Sequence, residues 1–292
     1  MHKVLAEIIA GVIPHKMTRN RWRGLLRFGL VNAVKLKQQI KHDHTTPECN
    51  LAVCAIAKNE GPYFKEWVEW HLSQGVDKFY IYDNESTDET KEVLAPYIQS
   101  GVVEYIDWPG YRMQLAAYDD CLARHRFDTR WISFIDLDEF IVPMQDESIP
   151  TFLKRFESFA AVEINWLCYG SGGQKEKLPG GVMDRFHHHS LPEHILNRHV
   201  KSIVNPRRVY GMIGCHEVAR MSGYANADSH GQTITRNFRE RVPQQDVIRV
   251  NHYAVRSFAE FLEKQMRGRA SGTQKTVPMD YFTRYDLNDI KE

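Results

Sequence analysis

From residue 51 the chain alternates short apolar runs with longer stretches of helical period. Leu51 to Ala57 is a continuous apolar run of the length of a buried parallel strand. Pro62 follows where a first helical turn tolerates it, Phe64, Trp67, Val68 and Leu72 share one helical face, and Gly75 supplies a stop. Lys78 to Tyr82 reads as a second strand. Ser86-Thr87-Asp88-Glu89 then has the form of a capping box, opening a helix through Val93, Leu94 and Ile98 to Gly101. Val102 to Ile106 is a third strand, Met113 to His125 a helix, and Trp131 to Ile135 a fourth strand. This alternation predicts an α/β fold with a mostly parallel sheet flanked by helices, its ligands at the carboxyl ends of the strands. The loops after Ala57, Tyr82 and Ile135 are therefore where chemistry is expected. Beyond Pro143 the pattern thins. Ala161 to Leu167 and Val247 to Asn251 read as strands, Ser257-Phe258-Ala259-Glu260 as a second capping box, and Gly170 to Gly181 and Met221 to Gly231 as loops.

The first 46 residues follow another pattern. Trp22, Leu25, Leu26, Phe28, Leu30, Val31 and Val34 recur partly at three- and four-residue spacing among basic side chains, which predicts a basic amphipathic helix. This segment holds nine Lys and Arg against Glu7 and Asp43, a local charge of +7, whereas the whole chain carries +1. Such a helix can lie on an anionic membrane surface, or pack on the body with a solvated basic face. Both readings stand at this point. The overall balance of 38 basic and 37 acidic residues argues against a nucleic-acid binder. With 42% hydrophobic and 11% aromatic residues, the 292-residue chain suits one large domain with an appendage. The boundaries expected are a helical extension at 1–46, a main domain at 47–272 and a tail at 273–292. The run Val4 to Ile13 is short and broken by Glu7, so neither a spanning helix nor a cleaved signal is expected. Five scattered cysteines without a CxxC point to a reducing cytoplasm.

An apolar strand that runs straight into Asp136-Leu137-Asp138-Glu139 calls for a nearby cation, because buried unpaired carboxylates repel and lose solvation. On an extended backbone Asp136 and Asp138 project to one side and can share a hard metal such as Mg²⁺ or Mn²⁺. The alternative is an acidic strand end paired with Lys or Arg. Two other strand ends are polar as well: Ala57-Lys58-Asn59-Glu60, where Lys58 can face a phosphate, and Asp83-Asn84, which can hydrogen-bond a base or ribose. Three such ends on one sheet edge favour a single site. The histidines at 187, 188, 189, 194 and 199 lack a cysteine pair and suit an acceptor-facing loop better than structural zinc.

The arrangement resembles the GT-A fold glycosyltransferases, specifically glycosyltransferase family 92 and its bacterial family-2-like relatives. The resemblance rests on Ala55-Ile-Ala-Lys-Asn-Glu60, Glu66-Trp-Val-Glu-Trp-His71, Phe79 to Asp88, Gln114 to Cys121, Asp136-Leu-Asp-Glu-Phe140, and Asn251-His-Tyr253 with Ser257, Phe261, Lys264 and Arg267-Gly268. It implies a Rossmann-like GT-A sheet and a metal, Mn²⁺ or Mg²⁺, on Asp136, Asp138 and His252. The donor, a nucleotide-diphosphate sugar such as a UDP-hexose, falls to Ala57, Lys58, Glu60, Asp83, Asn84, Asp136, Leu137, Lys264 and Arg267, with Arg269 beyond them. The implied reaction is inverting transfer to a glycan or glycolipid hydroxyl, in bacterial lipopolysaccharide or surface-polysaccharide synthesis. Its site is cytoplasmic, or peripheral on the inner face of the membrane. Glu217 is the expected general base, with Asp228 and Glu139 as rivals. Two other classes remain at this point: a haloacid-dehalogenase-like phosphatase, which also uses Asp-x-Asp, and a non-catalytic, membrane-associated carbohydrate-binding protein.

Overall fold

The structure, a computed structural model, describes residues 10, 12–13, 16–267 and 277–292. Gly268 and Arg269 lie outside them. The strands are β1 (Cys49–Ala57), β2 (Lys78–Asp83), β3 (Val103–Asp107), β4 (Thr129–Phe134), β5 (Glu139–Pro143), β6 (Ala161–Cys168), β7 (His188–His189), β8 (Val200–Val204), β9 (Val209–Met212), β10 (Val218–Arg220), β11 (Asn226–Asp228), β12 (Ile248–His252) and β13 (Ile290–Lys291). The helices are α1 (Lys16–Phe28), α2 (Leu30–His42), α3 (Gly61–Ser73), α4 (Thr90–Gln99), α5 (Gln114–His125), α6 (Ile149–Leu153), α7 (Val182–Arg185), α8 (Phe258–Arg267) and α9 (Asp280–Tyr285). Nine strands form one sheet in the order β3-β2-β1-β4-β8-β6-β12-β5, with β11 beside β6. Pairing is parallel among β1 to β4 and between β6 and both β11 and β12. β8 runs antiparallel between β4 and β6, and β5 antiparallel along β12. The chain is thus an α/β protein with a mostly parallel sheet flanked by helices.

The period of two explains why β1 is apolar throughout. Leu51, Val53, Ala55 and Ala57 join Phe64, Trp67, Val68 and Leu94 on one face, while Ala52, Cys54 and Ile56 join Ala117, Tyr118, Cys121 and Leu122 on the other. Helix α3 carries Pro62 in its first turn and ends before Gly75, whose φ of 86° is the left-handed stop expected.

The first capping box does not form. α4 begins at Thr90, because Ser86 Oγ instead accepts the Asn59 N–H (2.9 Å). Asp88 takes the capping role with a charged acceptor: its carboxylate receives the N–H groups of Thr90 (3.1 Å) and Gly61 (2.9 Å), fastening the starts of α3 and α4 together.

The second box does form. Glu260 N–H donates to Ser257 Oγ (3.3 Å), and Ser257 N–H to Glu260 Oε2 (3.2 Å). Burial pushes the Glu260 pKa up, but the Arg185 and Ser257 hydrogen bonds outweigh it and hold the carboxyl at about 2. A depressed folded value means stability that is present above the unfolded pKa near 4.5 and is lost as pH falls towards 2. Glu260→Gln is therefore expected to lose about 3 kcal/mol at pH 7. Its urea midpoint should approach that of the parent near pH 2, whereas a pH-independent gap would refute the linkage.

At the amino end, a single amphipathic helix becomes two, because Gly29 breaks the run at φ 93°. The apolar residues divide accordingly. Ala33 and Leu36, flanked by Leu25, Phe28 and Ile40, pack on Tyr210, Ala219 and Met221 of the β9–β10 hairpin and its flank. The approach is so close that a Cβ on Gly24 would stand 2.1 Å from the Ala219 Cβ. Trp22, Leu30, Val31 and Val34 remain exposed. Packing on the body thus describes the inner face. No described helix is long and apolar enough to cross a membrane. At the other end, residues 277–292 fold back on the domain, where β13 pairs with β7.

Candidate active site

Between β4 and β5 the chain turns through Asp136, Leu137 and Asp138, so the two aspartates sit on a turn and not on extended strand. Asp136 Oδ1 accepts hydrogen bonds from Gln114 Nε2 (2.9 Å) and Tyr118 OH (3.4 Å), and Oδ2 meets Lys201 Nζ (2.7 Å). Lys201, buried on β8, also reaches Glu139 Oε2 (3.1 Å), which accepts the Asp136 N–H (2.8 Å). Asp138 Oδ2 pairs with Lys264 Nζ on α8 (2.5 Å), while Oδ1 stands 3.9 Å from His252 Nε2 at the end of β12. The cation demanded by the acidic strand end is thus supplied twice, by Lys201 and Lys264.

These environments set the charge states. Burial pushes Asp138 up, but Lys264, His252 and Arg256 together hold it well below the usual carboxylate range. Burial lowers His252 to about 3 against the opposing pull of Asp138, leaving a neutral imidazole. Glu139 is pushed up to about 8 by burial, which Lys201 only partly offsets.

A cavity of about 250 Å³ opens beside this turn. It brings together Ala57, Lys58, Glu60, Asp136, Leu137, Asp138, His252, Lys264 and Arg267. Trp166, His199, Cys215 and His216 form another part of its wall, and Val277, Tyr281 and Tyr285 line it from the carboxyl-terminal segment. Glu60 is held by Arg267 and Arg256 (3.4 Å), and Arg267 also donates to the Asn59 carbonyl (3.0 Å). Asn59 and Arg256 adopt left-handed backbone, φ 52° and 56°, a strained geometry kept at the lip of the site.

Three expected residues do not line the cavity. Asp83 accepts the Ser86 N–H (3.0 Å), its other oxygen being buried without a partner, and Asn84 donates to the carbonyls of Trp108 and Gly110 (both 2.9 Å). Both fasten loops. Glu217 accepts from Asn237 Nδ2 (2.8 Å), although its neighbours Cys215 and His216 reach the wall. Of the rival bases, Asp228 receives the His230 and Gln232 N–H groups and Glu139 lies beneath Asp136. Sequence reasoning missed Lys201, Gln114, Tyr118 and Arg256. The available signal was a lone lysine inside the strand-like run Val200-Lys201-Ser202-Ile203-Val204.

The family model described as glycosyltransferase family 92 matches residues 50–281. The chain belongs to glycosyltransferase family 92. This family 92 protein is 28% identical over 229 residues to the family 92 protein RCOM_0530710 of Ricinus communis, covering 74% of the chain and 37% of that relative. With galactan beta-1,4-galactosyltransferase GALS2 of Arabidopsis thaliana it shares 27% identity over 175 residues, 54% of the chain and 33% of the relative. The chain spans about a third of the length of these curated relatives. The solved structure of S. aureus TarS 1-349 in complex with UDP overlaps 54% of the chain and 47% of its own at 14% identity and a TM-score of 0.37, too distant to carry an argument. Family membership removes the phosphatase alternative.

The residues of this family 92 site fit a divalent cation at one point. Neither nitrogen of His252 has a hydrogen bond: Nδ1 is buried without a partner, and Nε2 faces Asp138 Oδ1 across 3.9 Å. That gap is too long for a hydrogen bond and close to what one cation at about 2.1 Å from each atom spans. Asp136 differs, since Gln114, Tyr118 and Lys201 already engage both its oxygens. Among the described residues no three acidic, histidine or cysteine side chains converge as a ready-made metal cluster.

Proposed function

We propose that this chain transfers a hexosyl group from a nucleotide-diphosphate sugar, a UDP-hexose, to a hydroxyl of a glycan or glycolipid acceptor. One observation carries the reading: a single cavity sets Asp136, Asp138 and His252 beside the cations Lys58, Lys264 and Arg267. Carboxylates alone repel a diphosphate, and cations alone would not need them; the combination suits a diphosphate bound with a metal. Asp138 and His252, with Asp136 beside them, would hold Mn²⁺ or Mg²⁺, and the ion would supply Lewis-acid stabilisation of the departing diphosphate. Lys264 and Arg267 exchange part of their contact with Asp138 and Glu60 for phosphate oxygens, and Lys58 approaches from the end of β1. The unpartnered Asp83 oxygen accepts a hydrogen bond from the base, and Asn84 keeps its loop in place. The apolar side chains of Leu137, Trp166 and Tyr285 exclude water that would hydrolyse the donor.

Inversion in one displacement requires a base for the acceptor proton, and Glu217, next in the chain to the wall residue His216, is assigned that role. The galactosyltransferase relatives favour galactose as the hexose. Helices α1 and α2, which contain no acidic residue, favour a lipid-linked acceptor at the cytoplasmic face of a membrane, such as lipopolysaccharide core or another surface polysaccharide.

The test is a thermal-shift and UDP-release screen of nucleotide sugars with and without Mn²⁺. A UDP-hexose with Mn²⁺ is expected to raise Tm by about 3 °C or more and to release UDP when acceptor is added. A shift without release in the presence of candidate acceptor glycans would favour a carbohydrate-binding protein. No shift with any nucleotide sugar would sink the reading.

A further inference from the structure

A second cavity, about 450 Å³, lies away from the candidate active site, between the α1–α2 pair, α5 and the start of β9–β10. It shares no lining residue with the site above, yet the same hairpin touches both: Tyr210 and Met212 line this one, Cys215 and His216 the other. Three cations line it, Arg27, Lys35 and Arg126, against one carboxylate, Asp119, which accepts the Met212 N–H (2.8 Å).

None of the three cations has a carboxylate within ion-pair distance among the described residues. Arg126 is the telling one. It is 4% exposed, and its guanidinium donates only to backbone carbonyls, those of Pro206, Val209 (2.5 Å) and Tyr210 (3.4 Å). Carbonyls satisfy its hydrogen bonds, and Asp119, outside ion-pair distance, offsets only part of the cost of burying its charge. Burial pushes its pKa down to about 10, the same imbalance in another form.

The apolar part of the wall is Phe28, Leu36 and Phe127 beside Tyr210 and Met212, with Asn32 and Gln39 as neutral polar residues. On the outer side of α2, Leu30, Val31 and Val34 are 56%, 68% and 56% exposed. A ligand that answers both parts has an anionic head for the three cations and a hydrocarbon chain for the aromatic and aliphatic wall.

We propose that this cavity binds a phosphate-bearing amphiphile, its head at Arg126, Arg27 and Lys35 and its chain running along α2. The shared chemistry has two sources, a bilayer phospholipid or a single lipid-linked phosphate. The inference concerns binding alone and stands whether or not the transfer reaction does.

The test titrates the full chain by calorimetry with dodecyl phosphate below its micelle concentration, beside dodecanol and inorganic phosphate. Dodecyl phosphate is expected to bind about tenfold or more tighter than either, since both parts of the ligand contribute. Two variants probe the site from its accessible side: Arg27→Gln with Lys35→Gln removes charge, and Ala123→Trp fills the mouth from the exposed face of α5. Each should weaken dodecyl phosphate about tenfold while far-UV circular dichroism and melting stay like those of the parent. Sedimentation with phosphatidylglycerol vesicles, lost in the charge variant and absent with phosphatidylcholine, assigns the ligand to the bilayer. Binding of dodecyl phosphate without sedimentation assigns it to a lipid presented singly. Dodecyl phosphate binding no tighter than its two fragments, or equally to parent and variants, overturns the proposal.

Discussion

Asp138→Asn is expected to lower UDP release from a UDP-hexose by about 10²- to 10³-fold while leaving a folded protein. Asp138 is buried, and its charge is maintained by Lys264 at 2.5 Å, with His252 and Arg256 nearby. Its depressed pKa keeps it ionised across the working range, so it cannot supply the acid limb of a pH–rate profile. What it contributes is a fixed negative charge opposite the neutral His252. Asparagine keeps the shape and removes that charge. Lys264 then loses its ion-pair partner while keeping the Ala254 carbonyl (2.8 Å) and the Tyr281 ring, and the pair that fits a cation loses its anionic member. The same variant should lose the Mn²⁺-dependent part of the thermal shift, a readout independent of turnover. Retained turnover together with an unchanged Mn²⁺ response would remove Asp138 from the metal site.

Local signals carried much of this architecture. β1 to β4 announce themselves as short apolar runs, the first three followed by a helical pattern and the fourth closed by carboxylates, and Gly75, Pro62 and the Ser257–Glu260 box act through neighbours a few residues away. β5 and β8 were not legible for the opposite reason. Val200–Val204 carries a lysine at its second position, a composition that disfavours a central strand until the partners of that lysine are known. Those partners, Asp136 and Glu139, lie more than sixty residues away. The site shows the same division. Strand-end logic brought Lys58, Asp136 and Asp138 to one cavity and the family resemblance added His252, but the same logic also counted Asp83 and Asn84, which the folded chain uses as fasteners. Trp166 sits on a strand the pattern did announce, but His199 and His216 come from segments without helical or strand period, and there sequence pattern is silent.

The largest stability effect is expected from Lys201→Met. Lys201 is 1% exposed and contacts both Asp136 (2.7 Å) and Glu139 (3.1 Å), and Glu139 is fully buried. Removing the cation leaves two carboxylates facing each other with Gln114 and Tyr118 as the remaining side-chain donors. Breaking a buried ion pair on one side costs about 3–5 kcal/mol, a fall in Tm of about 10 °C for a chain of this size. The sign of the pH dependence follows from Glu139. Burial already raises its pKa to about 8 with Lys201 opposing, so loss of Lys201 raises it further. A folded carboxyl with a raised pKa keeps a proton that the unfolded chain has given up, so the penalty is absent below the unfolded value near 4.5 and grows as pH rises through the folded value. Both proteins keep that proton below pH about 8, so the part of the gap that belongs to Glu139 should be closed there and open only as pH rises above it. Adding Glu139→Gln removes that part and should narrow the gap above pH 8 while leaving it unchanged below, whereas a neutral Gln at an innocent position would not. A Lys201→Met protein that melts like the parent across this range would show that Asp136 is held by Gln114 and Tyr118 alone, and that the turn presenting both aspartates does not depend on the cation beneath it.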